Sequence, residues 1–119
     1  QSELREWCIF LMDKGFVVFV EHMMTEDGQF YVIMECVDMG AVYAPQTIEE
    51  AKLRYGESLL REKNESLIAY LYKEKRIAEG IYTQLSARNG QEAAVQERLG
   101  QLRKDLDCID FALEYYNFA

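Results

Sequence analysis

The chain of 119 residues is short of several things, and each shortage removes a class of protein. It has one proline, one histidine, one tryptophan and three cysteines. A lone histidine, His22, leaves any zinc site to gather its ligands from distant segments, so no metal is expected. Cys8, Cys36 and Cys108 are odd in number and far apart, without metal-ligand spacing and unlike a secreted disulfide framework. They read as free thiols in a reducing cytoplasm. No apolar run approaches the ~20 residues of a bilayer span, so no membrane contact is expected. The first residues, Gln-Ser-Glu-Leu-Arg-Glu, do not form a secretory signal. The chain starts at Gln1 and not at Met, which leaves an upstream domain open.

Catalytic signatures are scarce as well. There is no glycine-rich phosphate loop, and Gly56-Glu57-Ser58 lacks the second glycine of a nucleophile elbow. The sequence therefore predicts no enzyme activity and no cofactor.

What is present supports a folded protein. Half of the residues are hydrophobic and 13% are aromatic, enough for a core despite a net charge of -8. The length suits a single domain over 1–119, with an acidic section at 1–46 and a helical section at 47–119. Residues 1–46 hold eight acidic and two basic side chains, residues 47–90 seven and eight, and residues 91–119 six and three. Phosphate backbones reward clustered cations, so so acidic a chain predicts no direct nucleic-acid binding. The basic cluster Lys73-Glu74-Lys75-Arg76, with Arg61 and Lys63 before it, is interleaved with glutamates and reads as a solvated helix face.

Periodicity gives the fold class. Residues 2–14 predict a short helix, with Leu4, Trp7, Cys8 and Leu11 on one face and Gly15 ending it. Two runs rich in Val, Phe, Tyr and Ile, 16–24 and 29–38, flank Thr25-Glu26-Asp27-Gly28. The Asp-Gly pair signals a β-hairpin, because Gly accepts the positive φ of a tight turn. A two-residue turn would put Val18, Val20, His22, Met24, Tyr31, Ile33, Glu35 and Val37 on one face and Phe19 on the other. A bulge would regroup them. Both faces are largely apolar, and a two-stranded hairpin needs cover.

Thr47-Ile48-Glu49-Glu50 matches a capping box for a helix from Ile48, which Gly56 weakens by ~1 kcal/mol but need not stop. A 4-3 series follows at Leu60, Asn64, Leu67, Leu71, Glu74, Ala78, Ile81 and Leu85, with Asn64 and Glu74 as flaws in its seam. After Arg88-Asn89-Gly90, the seam Val95, Leu99, Leu102, Leu106, Ile109, Leu113 and Tyr116 repeats 4-3 without a break. The architecture read from this is α+β and mostly helical: a helix, a hairpin, then two long antiparallel helices. The width of the apolar stripes predicts a coiled-coil homodimer with those seven residues at the interface.

Two further features bear on function. His22 and Glu35 would be diagonal neighbours in the two-residue-turn register, a candidate acid–base pair. Eight tyrosines and six phenylalanines suit either interface anchors or a pocket for a flat ligand. Leu106-Asp107-Cys108-Ile109-Asp110-Phe111 through Tyr115-Tyr116 resembles the end of the dimerisation helix of MerR-type transcription regulators, over a fifth of the chain. A strand pair before a long helix is similar to the wing and dimerisation helix of PadR-type repressors. The function expected from these observations is a cytoplasmic protein–protein interaction module, an inhibitor or accessory factor that presents its acidic hairpin to another protein. The alternative is the ligand-sensing or dimerisation domain of a transcription regulator.

Overall fold

The structure, a computed structural model, describes residues 2–39, 43–88 and 92–118, without the side chains of residues 2–4, 20–22 and 118. In chain order it holds α1 (Ser2–Asp13), β1 (Phe16–Glu26), β2 (Gln29–Asp38), α2 (Pro45–Tyr55), α3 (Glu57–Arg61), α4 (Glu65–Ala87) and α5 (Ala93–Phe118). The expected α+β, mostly helical architecture is present. The molecule is elongated, 65 × 30 × 21 Å, because α4 and α5 pair as an arm. At 1.5 Å per residue these helices run ~35 and ~39 Å.

Helix α1 ends at Gly15, whose φ of 93° suits only glycine well, and the Gly15 carbonyl accepts from the Met39 N–H at 2.9 Å. That bond closes the base of the hairpin. The inward face of α1 is Cys8, Leu11 and Met12. Trp7, expected on that face, is 59% exposed and sits edge-on to Phe10, ring centroids 5.9 Å apart.

The hairpin turns at Asp27 and Gly28, with φ of 51° and 77°, the two positive values of a type I′ turn. The ladder runs regularly from Glu26 opposite Gln29 to His22 opposite Ile33. There it slips by one residue, so that Val20 faces Met34 and Phe19 faces Glu35. Glu21 is the extra residue of this bulge. The slip corrects the uninterrupted register. Phe19, not Val18 or Val20, shares a face with Glu35, and Val18 stands opposite Cys36. The hairpin's base is core, with Val17, Val18 and Phe19 fully buried, whereas Met23, Met24, Phe30, Tyr31 and Ile33 of its distal half are exposed.

The helical section is broken where one run was expected. Helix α2 starts at Pro45, capped by the carbonyl of Ala44, which accepts from Thr47 and Ile48; Thr47 does not cap it. Proline suits this first position, since its missing N–H would have no partner there. Gly56, at φ 88° and ψ 126°, ends α2, a conformation closed to other residues. A second corner follows at Lys63, φ 54°. Asn64, expected as a flaw in the seam, instead caps α4: its side chain accepts from the Leu67 N–H at 3.0 Å.

The main core gathers Met12, the base of the hairpin, Ile48, Ala51, Leu60, Leu71, Ile109, Phe111, Leu113 and Tyr115. A smaller cluster in the arm packs Ala78, Leu102 and Leu106 against Ile81, Tyr82 and Leu85. Leu102, Leu106, Ile109 and Leu113 of the seam are thus buried within the chain, Val95 and Leu99 are half-buried, and Tyr116 is exposed. The two seams close on each other. Within the single chain this covers most of the stripe expected at a coiled-coil dimer interface.

Candidate functional site

The structure gives Glu35 a partner, but not the expected one. Its Oε1 accepts from the buried hydroxyl of Tyr115 at 2.8 Å, and the Tyr115 ring lies 5.2 Å from that of Phe19. The side chain of His22 lies outside the described residues, and its backbone stands opposite Ile33, not Glu35. Nearby, Tyr43 donates to Glu114 at 2.5 Å and packs edge-on against Phe111. Burial, then the hydrogen bond to Glu114, pushes the Tyr43 phenol far above its usual range. Lys52 donates to the Val18 carbonyl, pairs with Glu49 and Glu57 at 3.5 and 3.6 Å, and lies 4.8 Å above the Phe19 ring. These contacts fasten helices to the hairpin.

The thiols show no sign of activation. Burial raises the pKa of both Cys8 and Cys108, which disfavours thiolate. Among the described residues no three His, Cys, Asp or Glu side chains stand where they would hold a metal ion. No helix among them is long and apolar enough to cross a membrane.

A more promising arrangement lies where the C-terminal end of α2 meets the arm. Arg54, Tyr55, Tyr70, Glu74, Ile77, Ala78, Ile81, Arg98, Leu102, Asp105 and Ile109 line a groove of ≈ 260 Å³. Its floor is apolar and its walls are polar. Arg54 bridges Glu50 at 2.8 Å and Asp105 at 2.7 Å, which holds its guanidinium charged and fixed. Burial pushes the Tyr55 phenol up to about 12. Tyr70, half-exposed, donates to Glu74 at 3.0 Å, and that bond raises its pKa. Arg98 is exposed, with no carboxylate in ion-pair reach among the described residues.

The sequence counts Tyr55 and Tyr70 among eight tyrosines and gives no reason to single out Arg54, Arg98 or Asp105. Two local signals were available, the four-residue spacings Glu50–Arg54 and Tyr70–Glu74. The step that makes the groove, Arg54 reaching Asp105, spans 51 residues and needs the fold.

Outward from the groove the charge changes sign. Residues 73–104 hold seven basic and four acidic side chains, in a chain of net charge -8. Lys75 is tied to Asp110 at 2.9 Å and Arg103 lies 3.6 Å from Asp107. Lys73, Arg76, Arg98 and Lys104 are exposed.

A larger concavity lies between α1, β1 and α2. It spans ≈ 1010 Å³ and is lined by Cys8, Ile9, Met12, Val18, Met23 and Leu53, with Arg5, Glu49 and Lys52 among its polar groups. Elsewhere on α1 and the hairpin, Trp7, Phe10 and Phe30 are exposed.

Comparison with known proteins bears on these features. Residues 1–108 match the family model TrmK: tRNA (adenine(22)-N(1))-methyltransferase. The chain is also similar in fold to the M1A22 tRNA methyltransferase TrmK of B. subtilis, with a TM-score of 0.51 and 18% identity over 92% of this chain and 46% of that one. It therefore spans about half the length of the solved relative it matches. No curated protein matches it. These findings overturn the expectation of a non-enzymatic interaction module or regulator domain, and with it the expected absence of nucleic-acid contact. Net charge is a poor guide to such contact, because binding responds to the local field and the acidic excess of this chain lies outside residues 73–104.

Proposed function

Because the chain belongs to the TrmK family of tRNA (adenine(22)-N(1))-methyltransferases, by a match over residues 1–108, we propose that it serves the methylation of adenine N1 in tRNA. That family match is the observation that carries the reading. Adenine N1 lies on the Watson–Crick edge, so the base must be unpaired or extruded before a methyl group reaches it. An enzyme of this kind has to grip the RNA on either side of the target as well as bind the base.

The arm suits the gripping. It is long, and residues 73–104 carry its cationic surplus. In this reading Lys73, Arg76 and Lys104 meet phosphates, which reward exposed cations free of strong internal pairs. In the same reading the exposed apolar residues Trp7, Phe10 and Phe30, of α1 and the hairpin, serve as a docking face for another protein surface. A tRNA substrate also supports a cytoplasmic setting.

The test is to map N1-methyladenine at single-nucleotide resolution in tRNA from cells with and without the gene. Loss of one methyladenine, restored by the gene, supports the reading. An unchanged methylation map would overturn it.

A further inference from the structure

Resting on the tRNA reading, we infer that the groove between α2, α4 and α5 is a second nucleobase site, which takes one unpaired tRNA base flanking the target. Four observations converge on it. The groove, at ≈ 260 Å³, is just below the range of drug-sized pockets, so it admits one flat ring system and not a longer ligand. Its rim leaves an aromatic and an aliphatic side chain half in solvent, with Tyr70 50% and Ile77 48% exposed, groups of the kind on which a base stacks. Its carboxylates are held but not used up. Glu74 takes the Tyr70 hydroxyl on Oε1, and Asp105 takes Arg54 on Oδ1. The second oxygen of each is left to accept from an exocyclic amine, the donor that adenine, cytosine and guanine carry and uracil lacks.

Charge supplies the fourth observation and names the occupant. Arg98 lines the groove without a carboxylate in ion-pair reach among the described residues. Arg88 stands just past the C-terminal end of α4, in extended backbone, on the far side of Ile81 from Ile77 in the chain. A strand laid along the arm with its base in the groove thus meets guanidinium groups on its phosphates. A free apolar ligand would have no use for them. Arg54, spent on Glu50 and Asp105, is a positioning residue that holds the Asp105 carboxylate at the groove.

The experiment uses the protein and an unmodified transcript of its tRNA. Binding is measured for wild type, Tyr70→Ala, Tyr70→Trp, Arg98→Ala and Lys73→Glu over a range of salt, with chemical footprinting of the RNA. Tyr70 is half-exposed, and equal melting curves check that each variant folds. The site predicts that Tyr70→Ala weakens binding about tenfold at every salt concentration, as loss of one stacked base does. It also predicts that Tyr70→Trp restores binding, and that one unpaired nucleotide protected by wild type becomes reactive with Tyr70→Ala. Arg98→Ala should lower the salt slope by about 1. Wild-type binding and footprint in Tyr70→Ala, with binding weakened by Lys73→Glu, would overturn the base site and leave the tRNA reading standing. Failure of the wild type to bind tRNA would overturn both.

Discussion

The hydroxyl of Tyr115 donates to Glu35 across 2.8 Å and fastens the end of α5 to the middle of β2, 80 residues away in sequence. The bulge at Glu21 makes this joint possible, because it turns Phe19 onto the face of Glu35, where its ring meets that of Tyr115. Replacing Tyr115 by Phe keeps the ring packing and removes the donor, and should cost about 1–3 kcal/mol for a bond to a charged acceptor. Tyr115→Ala removes the buried ring as well and should cost about 3–5 kcal/mol. Urea denaturation of the two variants separates the terms. An unchanged midpoint for Tyr115→Phe would show that the hydroxyl contributes nothing, and equal losses that the ring adds nothing to it.

Alkaline pH should unfold the protein early. The folded pKa values of Tyr43 and Tyr55 are raised above the ordinary phenol value of 10, mainly by burial. A raised folded pKa stabilises fully below the unfolded value, and that stability is lost as pH climbs through the folded one. Stability set by these two groups is therefore flat through pH 8–9 and falls above about pH 10. Denaturation midpoints between pH 8 and 12, with phenolate absorbance followed in parallel, check this. Tyr55→Phe should shrink the alkaline loss.

Gly56 has room for a methyl group, whose nearest neighbour would be the Leu59 side chain at 3.9 Å, but its φ of 88° does not suit one. Gly56→Ala should cost about 1–3 kcal/mol through backbone strain alone. The measurement is again a denaturation midpoint. A gain in stability would mean that α2 and α3 fuse without harm to the packing around Leu60.

The seam on α5 should show a gradient of cost. Leu102 is buried in the arm cluster and its replacement by Ala should cost about 2–5 kcal/mol. Val95 and Leu99, half-buried further out, should cost less when truncated. Amide exchange should likewise be slower at 106–113 than at 95–99. Uniform costs along the seam would argue that the outer arm gains cover the structure does not show.

Charge reversal in the arm tests its role directly. Lys73→Glu with Arg76→Glu should weaken tRNA binding at low salt by at least tenfold and flatten the salt dependence, because phosphate contacts release counterions. Nitrocellulose filter binding over a range of salt would show it. An unchanged slope would free this face of α4 from the RNA.

Much of the fold was legible because its signals are local. Asp27-Gly28 announces the turn, Gly15 the end of α1, and the 4-3 spacing the arm. What was not legible depends on partners far away in sequence. No pattern within β1 says that Phe19, and not Val18, will meet Tyr115, so the bulge cannot be read from the strand. Asn64 fits a heptad position by count and caps a helix in fact, because the corner at Lys63 resets the phase. The groove was hidden for the same reason: Arg54 and Asp105 are polar residues on separate helices until those helices touch. Function was the least legible. The basic surplus of residues 73–104 disappears into a whole-chain charge of -8.

Position 21 holds a particular kind of slack. Every paired residue of the hairpin keeps its partner if the chain is shortened by one there, since the bulge already sets that residue outside the ladder. A loss between the bulge and the turn that left the bulge in place would carry Phe19 off the Tyr115 face and put Val18 opposite Glu35. The strand therefore tolerates a change of length at one point and forbids it at its neighbours. That point is a comma in an otherwise unpunctuated line, and it lets the two ends of one strand answer to different surroundings.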